Sequence, residues 1–180
     1  MKRVLLGLGS NMPYKGYYPL AILDEAKEDL AKIMKNITYS SLYITQPMYV
    51  TDQEPFFNMC CVGYVSDDKD PYEFLDEINA IEAKWGRDRS KEIRFGPRSL
   101  DIDIELFGDE RVSSERLEIP HPRIEERAFV LIPAIEILTE TADEIIRANY
   151  THCLSLLAAE GKAGGIEKVE GSNGKQSSGS

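Results

Sequence analysis

The chain has 180 residues, 42% of them hydrophobic and 29% charged, which is enough for one globular domain with its own core. Its formal net charge of -10 at pH 7 argues against general binding to nucleic acid, which needs a basic surface. No stretch approaches the roughly 20 apolar residues of a membrane-spanning helix, and the first apolar run is too short for a secretory signal.

Cysteine usage bears on the compartment. The three cysteines are Cys60, Cys61 and Cys153. An odd number without paired spacing is typical of reduced thiols in the cytosol. We therefore expect a cytoplasmic protein without a Cys/His zinc site.

Predicted strands and helices alternate through the first part of the chain. Residues 4–8 are an apolar run that ends in a Gly-Ser-Asn turn, as in a buried strand. Residues 17–35 have helical apolar spacing, and Asn36 is expected to end that helix. Residues 37–45 alternate and predict a second strand, and residues 56–65 predict a third.

A long loop separates the second and third predicted strands. Residues 46–55 contain two prolines and no periodicity, and such loops are often lids. Asn58 lies just beyond this loop and is the only amide side chain of its strand. A buried amide needs a partner, which is either a neighbouring backbone group or the edge of a flat heterocycle.

A second helix has a strong start signal at Asp70, because Pro71 and Glu73 follow it. Its apolar spacing continues to about Trp85. Glu82 lies at the edge of the apolar face. It is either a rim residue or a partner for an arginine just downstream, and we favour Arg87.

The most informative stretch joins a basic loop to an acidic strand. Residues 84–98 contain six basic and two acidic side chains. The following strand alternates, with Asp101, Asp103 and Glu105 on one face. Alternation alone would predict a solvated face. An Asp-x-Asp pair after a cationic loop also suits phosphoryl chemistry, because carboxylates hold Mg²⁺ while cations hold phosphates.

The C-terminal part adds a constrained loop and further helices. His121 lies between two prolines and near several arginines, so an anion partner is at least as plausible as a structural role. Residues 127–138 predict a helix despite Pro133, and residues 147–159 predict the last helix. From residue 161 the composition becomes rich in Gly, Ser, Lys and Gln, which predicts disorder.

The order β-α-β-β-α-β predicts an α+β fold of the ferredoxin-like type, an antiparallel sheet with helices on one face and extra C-terminal helices. We expect residues 1–160 to form the catalytic domain and residues 161–180 to form a disordered tail.

Residues 95–104 read Phe-Gly-Pro-Arg-Ser-Leu-Asp-Ile-Asp-Ile and resemble the signature of the 6-hydroxymethyl-7,8-dihydropterin pyrophosphokinase family. That signature has a Gly-Pro-Arg-x-x-Asp-x-Asp centre. Supporting similarities extend the resemblance over about residues 3–140, and they lie at residues 9–11, 41–45, 56–58, 116–121 and 127–129.

The resemblance implies transfer of a diphosphate from ATP to the hydroxymethyl oxygen of the pterin, with AMP as the leaving group. It implies that Asp101 and Asp103 are ligands of two Mg²⁺ ions and that Arg87 and Arg98 act on the transferring phosphates. The implied ATP-binding residues are Glu82, Arg89, Arg116, His121 and Arg127. The implied pterin-binding residues are Thr45, Met48, Phe56, Asn58 and Phe129. We expect no nucleic-acid or membrane partner, and a monomer that at most dimerises weakly.

The chain departs from the family's common pattern at Gln46, Phe56, Phe95 and Pro122, but none of these changes removes an implied catalytic charge. We also expect residues 46–55 and 86–96 to close over the substrates.

Two other functions fit parts of the pattern. One is a nucleotidyl transferase or cyclase with Asp-x-Asp on a ferredoxin-like sheet, which would release pyrophosphate. The other is an RNA-binding sheet, which would need exposed aromatic residues and a basic surface.

Overall fold

The computed structural model describes residues 1–47, 52–88, 90–94 and 96–171. The helices are α1 (Pro19–Leu30), α2 (Pro71–Lys84), α3 (Ala128–Ile137) and α4 (Glu144–Ala159). The strands are β1 (Lys2–Ser10), β2 (Lys35–Tyr39), β3 (Tyr43–Thr45), β4 (Phe56–Val65), β5 (Asp101–Phe107), β6 (Val112–Ser113), β7 (Glu118–Ile119) and β8 (Ile166–Lys168). Among the helices in these ranges, none is long and apolar enough to cross a membrane.

The main sheet has the strand order β5-β1-β4-β3-β8, and β2 also pairs with β4. Every pairing in it is antiparallel. Because β2 and β3 lie on the same side of β4, they act as one divided strand. The order is then that of a ferredoxin-like β-α-β-β-α-β unit, which confirms the predicted fold class.

Each face of the sheet is covered by a pair of helices. Ile22 of α1 and Phe74 of α2 pack with Leu6 of β1 on one face. Leu131 of α3 and Tyr150 of α4 are buried in a second core on the opposite face. The C-terminal helices therefore supply the layer that a two-helix ferredoxin-like unit leaves open.

The first helix is shorter than predicted. It ends at Leu30, a turn follows, and Asn36 already belongs to β2 with a left-handed φ of 51°. The expected helix to residue 35 is wrong. Met34 remains buried in the same core, so the apolar periodicity continues past the point where the helix ends.

The predicted second strand is interrupted by a contact from a distant helix. The Ser41 amide and hydroxyl donate to Glu136 Oε1 at 2.9 and 2.6 Å, and the Tyr43 hydroxyl donates to Glu136 Oε2 at 2.7 Å. These bonds lie between the end of β2 and the start of β3, both of which pair with β4. They tie α3 to the start of β3.

The prediction of disorder from residue 161 is wrong for residues 161–171. This segment includes β8, which pairs with β3. The folded part of the chain therefore extends beyond residue 160. Residues 172–180 lie outside the described part of the chain.

Asp70 caps α2 as the sequence predicts, since its carboxylate accepts from the Tyr72 and Glu73 amides at 2.8 and 3.2 Å. We expect Asp70→Ala to lower the free energy of unfolding by about 1 kcal/mol, because two amides at the helix start lose their acceptor. Asp70→Asn is the matched control, since an asparagine oxygen can also cap. Equal urea-unfolding midpoints for the Ala variant and the unsubstituted chain would contradict this role.

Candidate active site

The acidic residues of β5 lie beside two glycines of the neighbouring strand β1. Asp101 pairs with Gly9 and Asp103 pairs with Gly7 in the antiparallel register. Between them, Ile102 points to the opposite face and is buried in the core with α1 and α2. The lack of side chains on the two glycines lets neighbouring side chains approach this part of the sheet, since a Cβ on Gly9 would lie 2.9 Å from Asn58 Oδ1.

A cavity that opens to solvent lies above this part of the sheet. One part of the wall carries carboxylates and arginines, and another carries aromatic and amide groups. The residues concerned are Thr45, Gln46, Gln53, Phe56, Asn58, Arg98, Asp101, Asp103, Arg127 and Phe129.

Arg87 is enclosed by carboxylates. Its Nη1 contacts Glu82 and lies 2.7 Å from Asp101 Oδ1, and its Nε donates to Glu92 Oε1 at 2.6 Å. Burial opposes its charge, but Asp101 and Glu92 raise its pKa, so the guanidinium stays protonated. The predicted pairing of Glu82 with Arg87 is confirmed.

Asp101 lies between two arginines. Arg98 Nη1 is 3.4 Å from Asp101 Oδ2, on the side opposite the Arg87 contact. Burial would raise the pKa of Asp101, but Arg87 and Arg98 lower it below its ordinary value. Asp101 is therefore charged at neutral pH.

Asp103 has fewer cationic neighbours than Asp101. Arg127 Nη1 is 3.2 Å from its Oδ2, and His121 Nε2 is 3.9 Å away. Burial, followed by the nearby charge of Asp101, raises the pKa of Asp103 to about 6. Burial and Arg127 lower the pKa of His121 to about 4, so this imidazole is neutral at pH 7 and adds no charge beside Asp103.

The donor set fits a metal ion shared with a ligand. Asp101 and Asp103 present hard oxygen donors on one face of a rigid strand. In the described ranges, no group of three or more His, Cys, Asp and Glu residues is arranged to hold a metal. Mg²⁺ is typically bound by one or two carboxylates together with substrate phosphates, which matches a two-carboxylate site.

The aromatic part of the cavity contains Phe56 and Phe129. The Arg127 guanidinium lies 5.7 Å from the centre of the Phe129 ring and so links this part to the charged part. Asn58 Nδ2 donates to Thr45 Oγ1 at 2.6 Å. The Asn58 amide nitrogen thus pairs with a neighbouring side chain, a partner that the sequence analysis did not consider.

Several predicted site residues are not in the cavity wall. Glu82 is 1% exposed and accepts from the Ile102 amide at 3.2 Å, so it braces Arg87 against β5. The Arg116 side chain is 53% exposed and pairs with Asp76 of α2. Met48 and Arg89 lie outside the described residues, as does the departure at Phe95.

Sequence reasoning missed the role of Asn11. Its Nδ2 donates to Gln53 Oε1 at 3.0 Å and to the Glu54 carbonyl at 2.9 Å, while its Oδ1 accepts from the Arg98 amide at 2.8 Å. One amide at the end of β1 thus holds both loops that border the cavity. The sequence predicted a turn at residues 9–11, whereas Gly9 and Ser10 belong to β1, and the partners of Asn11 are 42, 43 and 87 residues away.

The sequence also placed Glu105 on the acidic face of β5, but it did not indicate the burial or the pKa of this residue. It is fully buried, and neither carboxyl oxygen has a hydrogen-bond partner among the described residues. Burial and the neighbouring Asp103 raise its pKa well above the ordinary value. A Cβ on Gly7 would lie 2.8 Å from Glu105 Oε1, so glycine at that position makes room for the carboxyl group.

The family model described as 7,8-dihydro-6-hydroxymethylpterin-pyrophosphokinase (HPPK) matches residues 5–139. The 2-amino-4-hydroxy-6-hydroxymethyldihydropteridine pyrophosphokinase of Pseudomonas aeruginosa is 37% identical over 171 residues, which cover 95% of this chain and 99% of that protein. Its Bacillus subtilis counterpart is 36% identical over 144 residues, covering 80% and 83%.

Other similar proteins are longer. The Arabidopsis thaliana folate synthesis bifunctional protein is 37% identical over 86% of this chain, which spans only 31% of that protein. A crystal structure of Plasmodium falciparum HPPK-DHPS aligns with a TM-score of 0.61 and 17% identity, covering 98% of this chain and 49% of the other. At this identity the structural similarity shows the fold alone.

The opposite pKa shifts of the paired carboxylates predict opposite effects on stability. Without metal at pH 7, we expect Asp103→Asn to raise the free energy of unfolding by about 1 kcal/mol, because it removes a poorly supported charge from a site that is one-third exposed. We expect Asp101→Asn to lower it, because Arg87 and Arg98 lose a charged partner.

The pH dependence has a defined sign. A raised pKa means that Asp103 favours the folded state most below its unfolded pKa of about 3.9, and that this contribution is lost as pH rises through about 6. The advantage of Asp103→Asn should therefore shrink as pH falls from 6 to 4. Chemical unfolding of both variants in EDTA at several pH values measures this, and shifts of the same sign in both would contradict it.

Proposed function

Because the chain belongs to the 7,8-dihydro-6-hydroxymethylpterin-pyrophosphokinase family, we propose that it transfers a diphosphate group from ATP to 6-hydroxymethyl-7,8-dihydropterin. The hydroxymethyl oxygen attacks the β-phosphorus, the bond from that phosphorus to the oxygen of the α-phosphate breaks, and AMP leaves. The hydroxyl proton passes to solvent. The observation that carries this proposal is a single cavity with an aromatic, amide-bearing part beside paired carboxylates and arginines.

The aromatic part suits the pterin. A flat heterocycle is held by aromatic faces and a few polar groups at its edge. Phe56 and Phe129 supply the faces, and Asn58 with Thr45 supplies the polar edge. The existing bond between those two side chains holds the amide in place before the pterin binds. On the family resemblance, Met48 is also proposed to contact the pterin.

The charged part suits the phosphates. Phosphoryl transfer requires mainly positioning and charge stabilisation from the protein. Arg87 and Arg98 already approach one carboxylate, Asp101, from two sides. An incoming phosphate chain offers these guanidinium groups anionic oxygens in a similar position, and Arg127 lies beside Asp103 to do the same.

Mg²⁺, as two ions in the proposal, would neutralise charge on the phosphates and orient them for attack. Asp101 and Asp103 would hold it, since both carboxylates face the cavity from a strand that is buried on its other side. The arginines that now contact these carboxylates are thereby free to turn to phosphate oxygens.

The remaining proposed nucleotide contacts have different degrees of support. His121 lies beside Asp103, and its Nδ1 accepts from the Arg123 amide at 3.1 Å. Since the ring is neutral at pH 7, its proton is on Nε2, which can donate a hydrogen bond to the nucleotide. Glu82 acts through Arg87, because it is enclosed. Arg116 would need to leave Asp76 to reach a nucleotide, and Arg89 keeps its proposed role from the family resemblance.

Localisation and assembly stay predictions. The buried, free Cys60 and Cys61 support placement in a reducing compartment. The monomeric state and the lack of nucleic-acid binding come from the composition and the family resemblance alone.

The direct test is to incubate the protein with Mg-ATP and 6-hydroxymethyl-7,8-dihydropterin and identify both products. We expect AMP and the pterin diphosphate, and we expect Asp101→Ala and Asp103→Ala each to lower turnover at least about 100-fold, because each removes a group that holds metal at the transferring phosphates. Asp109→Ala, in an exposed turn, is the control. Pyrophosphate without AMP would instead favour a nucleotidyl transferase.

The acceptor pocket can be tested with neighbouring phenylalanines of β4. Phe56 lines the cavity, whereas Phe57 packs against the core on the other face of the sheet. We expect Phe56→Leu to raise KM for the pterin about fivefold, as one aromatic stacking contact is lost, without changing KM for ATP. Phe57→Leu should leave both KM values unchanged, and equal effects in the two variants would refute the proposed stacking.

A further inference from the structure

The strand β8 lies outside the residues that the family model matches, which end at residue 139. It nevertheless completes the main sheet by pairing with β3, with Ile166 opposite Thr45 and Glu167 opposite Ile44. The pairing is closed at both ends. The Gln46 amide donates to the Gly165 carbonyl at 3.3 Å, and the Val169 amide donates to the Leu42 carbonyl at 2.9 Å.

The strand that β8 holds is part of the acceptor pocket. β3 has only three residues, and Thr45 at its end lines the cavity together with Gln46. Thr45 Oγ1 accepts from Asn58 Nδ2, so the position of this backbone determines where the amide edge of the pocket lies. Such a short strand at the edge of a sheet would readily open if only one side were paired.

β8 is itself anchored to the layer of C-terminal helices. Ile166 and Ala163 pack against the core formed with α3 and α4. The Phe129 side of the pocket belongs to α3, which the Glu136 bonds also tie to Ser41 and Tyr43. The C-terminal segment therefore connects two opposite walls of the pocket through one rigid layer.

We infer that β8 is a positioning element for the pterin pocket, which fixes Thr45 and Gln46 from the side opposite β4. This inference rests on the proposed function, because it assigns the pocket's ligand as the pterin. It adds that residues beyond the family match contribute to acceptor binding without touching the acceptor.

Hydrogen-bonded and non-hydrogen-bonded residue pairs alternate along two antiparallel strands, and this alternation provides a test with a matched control. The bonds at Gln46 with Gly165 and at Leu42 with Val169 place Ile44 and Glu167 in a hydrogen-bonded pair. Glu167→Pro removes the donor of that pair. Lys168 and Tyr43 form the adjacent pair, which is not hydrogen-bonded. The Lys168 amide therefore points away from β3, to the open edge of the sheet, and Lys168→Pro leaves the hydrogen bonds between β3 and β8 intact.

In the full-length chain, we expect Glu167→Pro to raise KM for the pterin about tenfold, the order expected when a hydrogen bond that orders a binding strand is lost. KM for ATP and kcat should stay within about twofold, since Arg87 and Arg98 belong to other elements. Amide exchange at Gln46 should become faster. Lys168→Pro should resemble the unsubstituted chain, and Lys168→Ala controls for loss of a charge that acts on Glu136.

Three results would overturn the inference in an active enzyme: an unchanged pterin KM in Glu167→Pro, an equal rise in Lys168→Pro, or a parallel rise in the ATP KM. Direct titration with the pterin separates this inference from the proposed function. If the unsubstituted chain binds pterin but forms no AMP, the proposed reaction fails while the dissociation constants of the variants still decide the role of β8. If it binds no pterin, both fail.

Discussion

The structure depends on one constraint. Asp101 and Asp103 place like charges side by side on β5, and the packing of this strand prevents its faces from exchanging. Ile102 and Ile104 anchor β5 in the core beneath, so Asp101 and Asp103 must share the opposite face. A one-residue shift would move the carboxylates into the core and the isoleucines to the cavity. The cost of placing two carboxylates together is therefore fixed by the fold, and cations from other elements must offset it.

Those cations come from three separate places and serve the two carboxylates unequally. Arg87 follows α2, Arg98 precedes β5 and Arg127 precedes α3. Asp101 receives two of them and keeps a low pKa, while Asp103 receives one and has its pKa raised to about 6. Under the proposed function, this unequal neutralisation would favour the binding of metal and phosphate at a cost in stability.

Local signals predicted the parts of this arrangement that local physics determines. The bounds of β4 matched residues 56–65, Asp70 capped α2, and alternation placed Asp101, Asp103 and Glu105 on one face. The family signature contains three of the charged residues that converge, Arg98, Asp101 and Asp103. The opposite pKa shifts of Asp101 and Asp103 could not be predicted from the sequence, because they depend on which arginine approaches which carboxylate oxygen.

Apart from the end of α1, the errors share one cause, which is contact between residues far apart in the chain. Glu136 divides the second strand from 95 residues away, and Asn11 gathers two loops from up to 87 residues away. The C-terminal composition predicted disorder from residue 161, but residues 166–168 form a strand that pairs with β3. The sequence placed Glu105 on its face, but it could not show that the carboxyl group is buried with no hydrogen-bond partner among the described residues.

These long-range contacts also explain how the site is assembled from separate parts of the chain. Asn11 is buried at the end of β1 and reaches Gln53 and Arg98, whose neighbouring segments border the cavity. The charged groups are then set by β5 and these anchored loop ends, and the aromatic groups by β4 and α3. The fixed points of the site therefore lie in the sheet and in the helix packed against it, and the core that β4 and α3 share holds them together.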